Sequence, residues 1–208
     1  MFASSVVYIV DDDPAALEAV SALVGVMGIS AKMYSSAESF LKDYDGHRPG
    51  CLITDVRMLG MSGIELQEEL DRRGNSLSVI VLTAYPDTRT TIRAIKGGAV
   101  TLLEKPCRDQ ELWDAIRTAL AEDERRFGLE QHMAAIRQRL ATLTSAERRV
   151  LDRIVAGDSN KAMAHRLGVS VRTIEVRRSN IFKKMHAESV AELVRLYLEV
   201  QGESGSSG

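Results

Sequence analysis

Nine residues near the start of the chain decide its fold: VVYIVDDDP, residues 6–14. The unbroken apolar run Val6–Val10 is typical of a strand that is buried on both faces of a sheet. Acidic residues follow the run, and Pro14 then stands where helices often begin. A buried strand, an acidic turn and a helix start thus succeed one another directly, which indicates a strand–helix unit with carboxylates at the junction.

The same pattern recurs along the first half of the chain. Helices are predicted from Pro14 to Gly28 and from Ser36 to Tyr44. Besides the first strand, we expect strands at Ala31–Tyr34, Cys51–Thr54, Val79–Leu82 and Thr101–Leu103. Strands that alternate with helices predict an α/β fold, here a doubly wound, five-stranded parallel sheet.

Composition and charge divide the chain in two. Of 208 residues, 45% are hydrophobic and 27% charged, as in ordinary globular proteins. No apolar run approaches the roughly 20 residues that span a bilayer. The amino terminus lacks a signal-peptide pattern and Cys51 and Cys107 lie far apart, so we expect a cytoplasmic protein without a membrane partner. The net charge is -2, yet residues 141–201 carry eleven basic and seven acidic side chains, which predicts a second domain with an anionic partner.

A long helix is predicted to connect the halves. It begins near Arg108 and continues past Leu120 with an apolar face at Phe127, Met133, Ile136 and Leu140. Two interpretations stay open: a linker helix that pairs with a second copy of the chain, and a single helix that lies on its own first domain.

The second half has only helical patterns. Thr144 and Glu147 form a capping box that opens a helix ending at Gly157, and further helices are predicted at 160–167, from Ser170 to Met185, and at 189–200. The tight turn Leu167–Ser170 joins two of them as a helix-turn-helix. The predicted domains are therefore 1–120, a helical linker 121–141, a small all-α domain 142–201 and a disordered tail 202–208.

Polar side chains follow the predicted strands at the edge where doubly wound sheets bind ligands. They are Asp11, Asp12 and Asp13 after the first strand, Asp55 after the third, Thr83 after the fourth and Lys105 after the fifth. Clustered carboxylates raise one another's pKa unless a cation neutralises them, and oxygen ligands favour Mg²⁺. Such a site suits phosphoryl transfer.

These motifs resemble the receiver domain of bacterial two-component response regulators, which has a flavodoxin-like fold. The resemblance rests on Val10-Asp11-Asp12, Asp55, Thr83-Ala84 and Lys105-Pro106. It implies that Asp55 accepts a phosphoryl group from a cognate histidine kinase, and that the Lys105–Pro106 bond is cis. It also implies that Asp11, Asp12, Asp55 and the backbone carbonyl of Arg57 bind Mg²⁺, while Thr83 and Lys105 contact the phosphoryl group.

Two residues depart from the family pattern. Leu59 stands where the family usually carries proline, and Leu102 where it usually carries an aromatic residue that turns inward on phosphorylation. We therefore expect activation to proceed through backbone movement after Thr83 or through Tyr85.

The segment 143–196 resembles the LuxR-type four-helix output domain of FixJ-like regulators, which binds DNA. Ile174, Ile181 and Met185 are expected in the core, whereas Glu175, Val176 and Ser179 face base edges and the basic residues face phosphates. We expect DNA contacts from these residues: Asn160, Lys161, Arg172, Thr173, Glu175, Val176, Arg177, Arg178, Ser179, Lys183 and Lys184. The resemblance further implies a homodimer when phosphorylated, and RNA polymerase is a candidate partner.

The sequence thus favours a non-enzymatic transcriptional regulator controlled by phosphorylation of Asp55. A second hypothesis is a DNA-binding regulator whose degenerate receiver works without phosphorylation, supported by Leu59 and Leu102 alone. A third is a Mg²⁺-dependent phosphohydrolase of the haloacid-dehalogenase type, because Asp11 and Asp13 have the spacing of its acidic pair. The basic helical domain would then be unexplained.

Overall fold

The computed structural model describes residues 5–46, 49–75 and 77–204. Its strands are β1 (Val6–Val10), β2 (Ser30–Tyr34), β3 (Gly50–Asp55), β4 (Ser78–Thr83) and β5 (Ala99–Glu104). Its helices are α1 (Pro14–Val26), α2 (Ala37–Asp43), α3 (Gly63–Arg72), α4 (Thr88–Lys96), α5 (Asp109–Ala141), α6 (Ser145–Val155), α7 (Asn160–Leu167), α8 (Val171–Met185) and α9 (Val190–Ser204). No helix in these ranges is both long and apolar enough to cross a bilayer.

The described strands form one parallel sheet in the order β2-β1-β3-β4-β5. Val10 pairs with Thr54, so the residues that follow them, Asp11 and Asp55, emerge side by side. Thr83 pairs with Glu104 in the same way, immediately before Lys105. The predicted doubly wound, five-stranded fold is confirmed, and its register brings the predicted site residues to one edge.

Both faces of the sheet are covered, which explains why β1 is apolar throughout. Val7 and Ile9 pack with α1 and α5 on one face. Tyr8 and Val10 pack with α2, α3 and α4 on the other. Because successive side chains alternate between faces, a strand with two covered faces needs an apolar residue at every position.

The chain divides into two compact units between Gly128 and Leu129, inside α5. In the first unit, Asp123 is fully buried and its Oδ2 accepts a hydrogen bond of 2.9 Å from the backbone N–H of Gly50. The guanidinium of Arg126 donates to Ser78 Oγ at the start of β4. The predicted linker, 121–141, is therefore shared between the units.

The second unit consists of α6 to α9 and the end of α5 around one core. Met133 and Ile136 of α5 are buried in this core, a placement that neither interpretation of the apolar stripe considered. Gly128 does not interrupt the helix, because helices tolerate glycine at a cost of about 1 kcal/mol relative to alanine.

Helix limits in the second unit follow the predicted caps. The Thr144–Glu147 capping box is present, and Gly168, with a φ of 64°, ends α7 before the turn. α9 continues to Ser204, so residues 202–204 belong to a helix rather than to the predicted tail. The same small cost of glycine lets the helical hydrogen bonds continue past Gly202. The rest of the predicted tail, 205–208, lies outside the described residues.

Candidate phosphoryl-transfer site and nucleic-acid interface

Three of the predicted site residues meet at the carboxyl edge of the sheet. Asp11 and Asp55 are 4% and 8% exposed, and the ammonium of Lys105 lies between them. Lys105 Nζ is 2.5 Å from Asp11 Oδ2 and 2.7 Å from Asp55 Oδ1. Two buried carboxylates thus share one cation, which leaves the cluster with an excess negative charge.

The electrostatics of this cluster keep Lys105 charged. Burial, the largest single cause, would lower the pKa of Lys105, but the hydrogen bonds and charge attraction of Asp11 and Asp55 together outweigh it, so the pKa lies above its ordinary value. The ammonium is therefore available to offset anionic oxygens at any physiological pH.

The loop after β3 holds carboxylates through its backbone amides. The amide of Arg57 donates to Asp55 Oδ2 at 2.6 Å. The amide of Leu59 donates to Asp12 Oδ2 at 2.9 Å, although Asp12 itself is exposed. Both contacts link the loop to predicted metal ligands. The second comes from Leu59, one of the two residues that depart from the family pattern.

Two residues missed by sequence reasoning shape this loop. Glu38 Oε1 accepts a hydrogen bond of 3.0 Å from the amide of Met61, and backbone hydrogen bonds, its own amide first, lower the pKa of Glu38. A Cβ at Gly63 would lie 2.1 Å from the carbonyl oxygen of Asp55, so only glycine fits there. The glycine in Ser62-Gly63 was a visible signal for close backbone approach, whereas Glu38 gave none.

Thr83 and Lys105 are joined through the backbone. Thr83 is 1% exposed, its Oγ1 accepts from the amide of Tyr85 at 3.2 Å, and its carbonyl accepts from the amide of Lys105 at 2.7 Å. The Lys105–Pro106 peptide bond is cis, as the resemblance implied.

Asp13 has a structural contact of its own. Its Oδ1 accepts from the amide of Ala15 at 2.9 Å and caps α1. The amide of Asp13 in turn donates to Asp11 Oδ1. With its carboxylate on the helix start, Asp13 is less suited to the acid role that the phosphohydrolase hypothesis requires.

The donor set fits Mg²⁺ if water supplies further ligands. Among the described residues, no three His, Cys, Asp or Glu side chains are grouped as a metal site. Mg²⁺ does not require such a cage, since it keeps several waters and takes one or two carboxylates. Asp11, Asp12 and Asp55 offer only hard oxygen ligands, as this ion prefers.

Leu102 and Tyr85, the two side chains considered for signal transmission, differ in burial. Leu102 is half-buried and packs with the apolar layer that contains Tyr8 and Val81. Tyr85 is 67% exposed, and the guanidinium of Arg57 lies 5.1 Å from its ring centroid. Tyr85 therefore sits over the loop that follows Asp55.

The helix-turn-helix exposes one face of α8. Ile174, Ile181 and Met185 are fully buried on its inner side. The outer side exposes these predicted DNA contacts: Arg172, Glu175, Val176, Ser179 and Lys183. Arg177 and Arg178 are half-buried, and the guanidinium of Arg178 lies 5.9 Å from the ring centroid of Phe182. In the first turn of α7, Lys161 is exposed and Asn160 half-buried.

Two predicted DNA contacts have other partners. Lys184 Nζ lies 2.7 Å from Glu147 Oε2 and 3.1 Å from the carbonyl of Thr142. Because Glu147 is buried and needs a counter-charge, we assign Lys184 a structural role in this unit, and its predicted contact with a phosphate stays a prediction. The Thr173 hydroxyl lies 2.8 Å from the capping hydroxyl of Ser170, and its predicted contact with DNA stays a prediction.

Comparisons with known proteins give two family matches. Residues 7–117 match the response regulator receiver domain. Residues 141–197 match the bacterial regulatory proteins of the luxR family.

Relatives with both domains cover nearly the whole chain. The transcriptional regulatory protein FixJ of Azorhizobium caulinodans is 40% identical over 92% of this chain and 91% of its own length. The response regulator protein TodT of Pseudomonas putida is 39% identical over 93% of this chain and 85% of its own. Among solved structures, the response regulator StyR aligns with a TM-score of 0.88 at 36% identity, covering 95% of this chain and 100% of that one.

Proposed function

Because the chain belongs to the two-component response regulators with a receiver and a LuxR-type DNA-binding domain, we propose that Asp55 is its phosphoacceptor and that phosphorylation controls DNA binding. Regulators of this kind control transcription, and control by phosphorylation is typical of them. The two domains imply DNA and a histidine kinase as partners. The similarity of the whole chain to transcriptional regulators gives no support to the phosphohydrolase hypothesis.

One observation carries the proposal: the Lys105 ammonium bridges Asp11 and Asp55 at 2.5 and 2.7 Å. An acceptor carboxylate needs nearby positive charge, because phosphoryl transfer brings further anionic oxygens to it. Lys105 is held at that place and keeps its proton. In this position the Lys105 ammonium can contact the carboxylates before the transfer and the phosphoryl oxygens after it.

The transfer itself needs little chemistry from the protein. A carboxylate oxygen of Asp55 attacks phosphorus in line, the phosphorus–nitrogen bond to the kinase histidine breaks, and the imidazole leaves with the bonding pair. Asp11, Asp12, Asp55 and the carbonyl of Arg57 would hold Mg²⁺, as receiver domains generally do in their acidic pocket. When bound, the ion neutralises charge that develops on the phosphoryl oxygens. The Thr83 hydroxyl and the Lys105 ammonium would contact two of these oxygens.

In the second unit we propose that α8 enters the major groove. Glu175, Val176 and Ser179 would face bases, and Val176, which is 50% exposed, offers its methyl groups to thymine. Phosphate contacts would come from these residues: Asn160, Lys161, Arg172, Arg177, Arg178 and Lys183. Phosphorylation would promote a homodimer that binds paired half-sites, with RNA polymerase as a candidate partner.

The test is phosphorylation by acetyl phosphate with Mg²⁺, followed by mass spectrometry and DNA titration. We expect one phosphoryl group on the wild type, none on Asp55→Asn, and tighter DNA binding on phosphorylation. Asp13→Asn is the matched control, since asparagine caps a helix as well as aspartate. Label on Asp11 or Asp13 would support a phosphohydrolase, and absence of label with unchanged DNA affinity would support the degenerate receiver.

A further inference from the structure

Alternate backbone amides of the loop after β3 each hold a different carboxylate. The donor and acceptor pairs, with their N···O distances, are Arg57 to Asp55 at 2.6 Å, Leu59 to Asp12 at 2.9 Å and Met61 to Glu38 at 3.0 Å. The acceptors come from three different elements: the end of β3, the turn after β1, and α2. The loop is therefore a backbone template that fixes acidic side chains from several parts of the first unit.

The contribution of Leu59 lies in its amide and not in its side chain. The residue is 83% exposed, so its isobutyl group adds little to the packing of the loop. Its N–H is the group that reaches Asp12, 47 residues away along the chain. Proline, which the receiver family usually carries at this position, has no N–H and could not make this contact.

We propose that the Leu59 amide is a positioning group for Asp12 as a ligand of Mg²⁺, an inference that rests on the proposed function. Asp12 is exposed, and a free surface aspartate samples several rotamers. The hydrogen bond to Oδ2 restricts the rotation of the carboxylate, and Oδ1 would then be the ligand atom. The same loop carries the Arg57 carbonyl, so the bond ties together two proposed ligands from different elements.

Positioning of this kind changes metal affinity measurably. Partners that orient a metal ligand typically change affinity by about ten- to a hundredfold when they are lost. Asp12 is one ligand of several and is solvent-exposed, so we expect the lower end, about tenfold.

The experiment compares Leu59→Pro with Leu59→Ala in the full chain. Mg²⁺ affinity is measured from chemical-shift changes in titrations with MgCl₂ and from the Mg²⁺-dependent rise in Tm. Leu59→Ala keeps the amide and should stay within about twofold of the wild type, whereas Leu59→Pro should bind about tenfold more weakly. Equal affinities for the two variants, or tighter binding by Leu59→Pro, would overturn the inference and leave the proposed function intact. Absence of Mg²⁺ binding by the wild type would instead overturn the proposed function.

A second measurement does not depend on the folding of the proline variant. The amide proton of Leu59 should resonate downfield in the wild type, because its partner is a carboxylate, and should move upfield in Asp12→Ala. Glu38→Gln is the matched control, since it alters the neighbouring contact with Met61 and should leave the Leu59 signal in place. A Leu59 signal that does not respond to Asp12→Ala would overturn the inference.

Discussion

Each unit of the molecule contains a lysine in contact with buried carboxylate. In the first unit, Lys105 bridges Asp11 and Asp55. In the second, Lys184 contacts Glu147. The shortest distance from the lysine nitrogen to a carboxylate oxygen is similar in the two units, 2.5 Å for Lys105 and 2.7 Å for Lys184. The surroundings of the two lysines differ, however, and so do the roles that we assign to them.

The difference between the two sites lies in the balance of charge. Glu147 Oε2 accepts from the amide of Thr144 at 2.8 Å, from its hydroxyl at 3.0 Å and from Lys184 at 2.7 Å. One carboxylate meets one ammonium there, so the formal charges of the pair cancel. At the sheet edge two carboxylates share one ammonium, and the surplus negative charge suits a cation. An unbalanced network is therefore the better indication of a binding site.

The largest effect is expected from substitution of Lys105, whose ammonium two carboxylates share. Lys105→Met should slow phosphorylation of Asp55 by acetyl phosphate by about 10²- to 10³-fold, since it removes a cation from the developing charge. DNA affinity of the unphosphorylated protein should not change. Phosphorylation at the wild-type rate would mean that Lys105 has only a structural role, like Lys184.

Lys184→Met should destabilise the second unit without affecting phosphorylation. It leaves Glu147 buried without its counter-charge, which we expect to cost about 2 kcal/mol, or roughly thirtyfold in the unfolding equilibrium. Hydrogen exchange of α6 and α8 amides would report this unit separately. Lys183→Met, one residue away and exposed, is the control and should stay within about 0.5 kcal/mol. Equal effects of the two substitutions would contradict the assignment of Lys184.

The contact between Lys184 and Glu147 should also depend on pH. The hydrogen bond from Lys184, followed by that from the Thr144 amide, lowers the pKa of Glu147. A pKa lower in the folded than in the unfolded state adds stability above the unfolded value, about 4.3, and that stability is lost as pH falls through the folded value. The difference in Tm between wild type and Lys184→Met should therefore narrow between about pH 6 and pH 3. A constant difference would exclude Glu147 as the titrating partner.

The smallest expected effects concern single phosphate contacts. Lys183→Met and Arg178→Ala should each weaken binding to all DNA sequences and reduce the slope of log affinity against log salt by about one unit. Lys184 should not contribute to this slope, because its ammonium is held by Glu147. Fluorescence anisotropy over a range of KCl concentrations measures the slope, with Lys184→Arg as the variant that retains the charge. A slope change for Lys184→Met as large as that for Lys183→Met, absent in Lys184→Arg, would place Lys184 at a phosphate.

The sequence predicted what depends on local pattern. The buried strands were evident because a sheet covered on both faces requires apolar runs, and the helix start at Ser145 was evident because Thr144 and Glu147 form a local motif. The meeting of Asp11, Asp55 and Lys105 followed from topology, since parallel strands place their carboxyl ends together. These features need no knowledge of side-chain packing.

What depends on packing between distant segments could not be predicted. Lys183 and Lys184 are adjacent and identical in type, and only the approach of α6 separates their roles. The hydrogen bond from Leu59 to Asp12 depends on the path of one loop. Asp123 lies in the charged run Glu122–Arg126, which suggests exposure, yet it is fully buried.

The burial of Asp123 has a practical consequence for the design of receiver fragments of this protein. A fragment that stops at Leu120, where the receiver pattern fades, would lose the partner of the Gly50 amide and the guanidinium that meets Ser78. The amino ends of β3 and β4 would then be left without these polar contacts. A fragment that extends through Gly128 keeps both contacts, so we expect it to have a higher Tm than the shorter fragment.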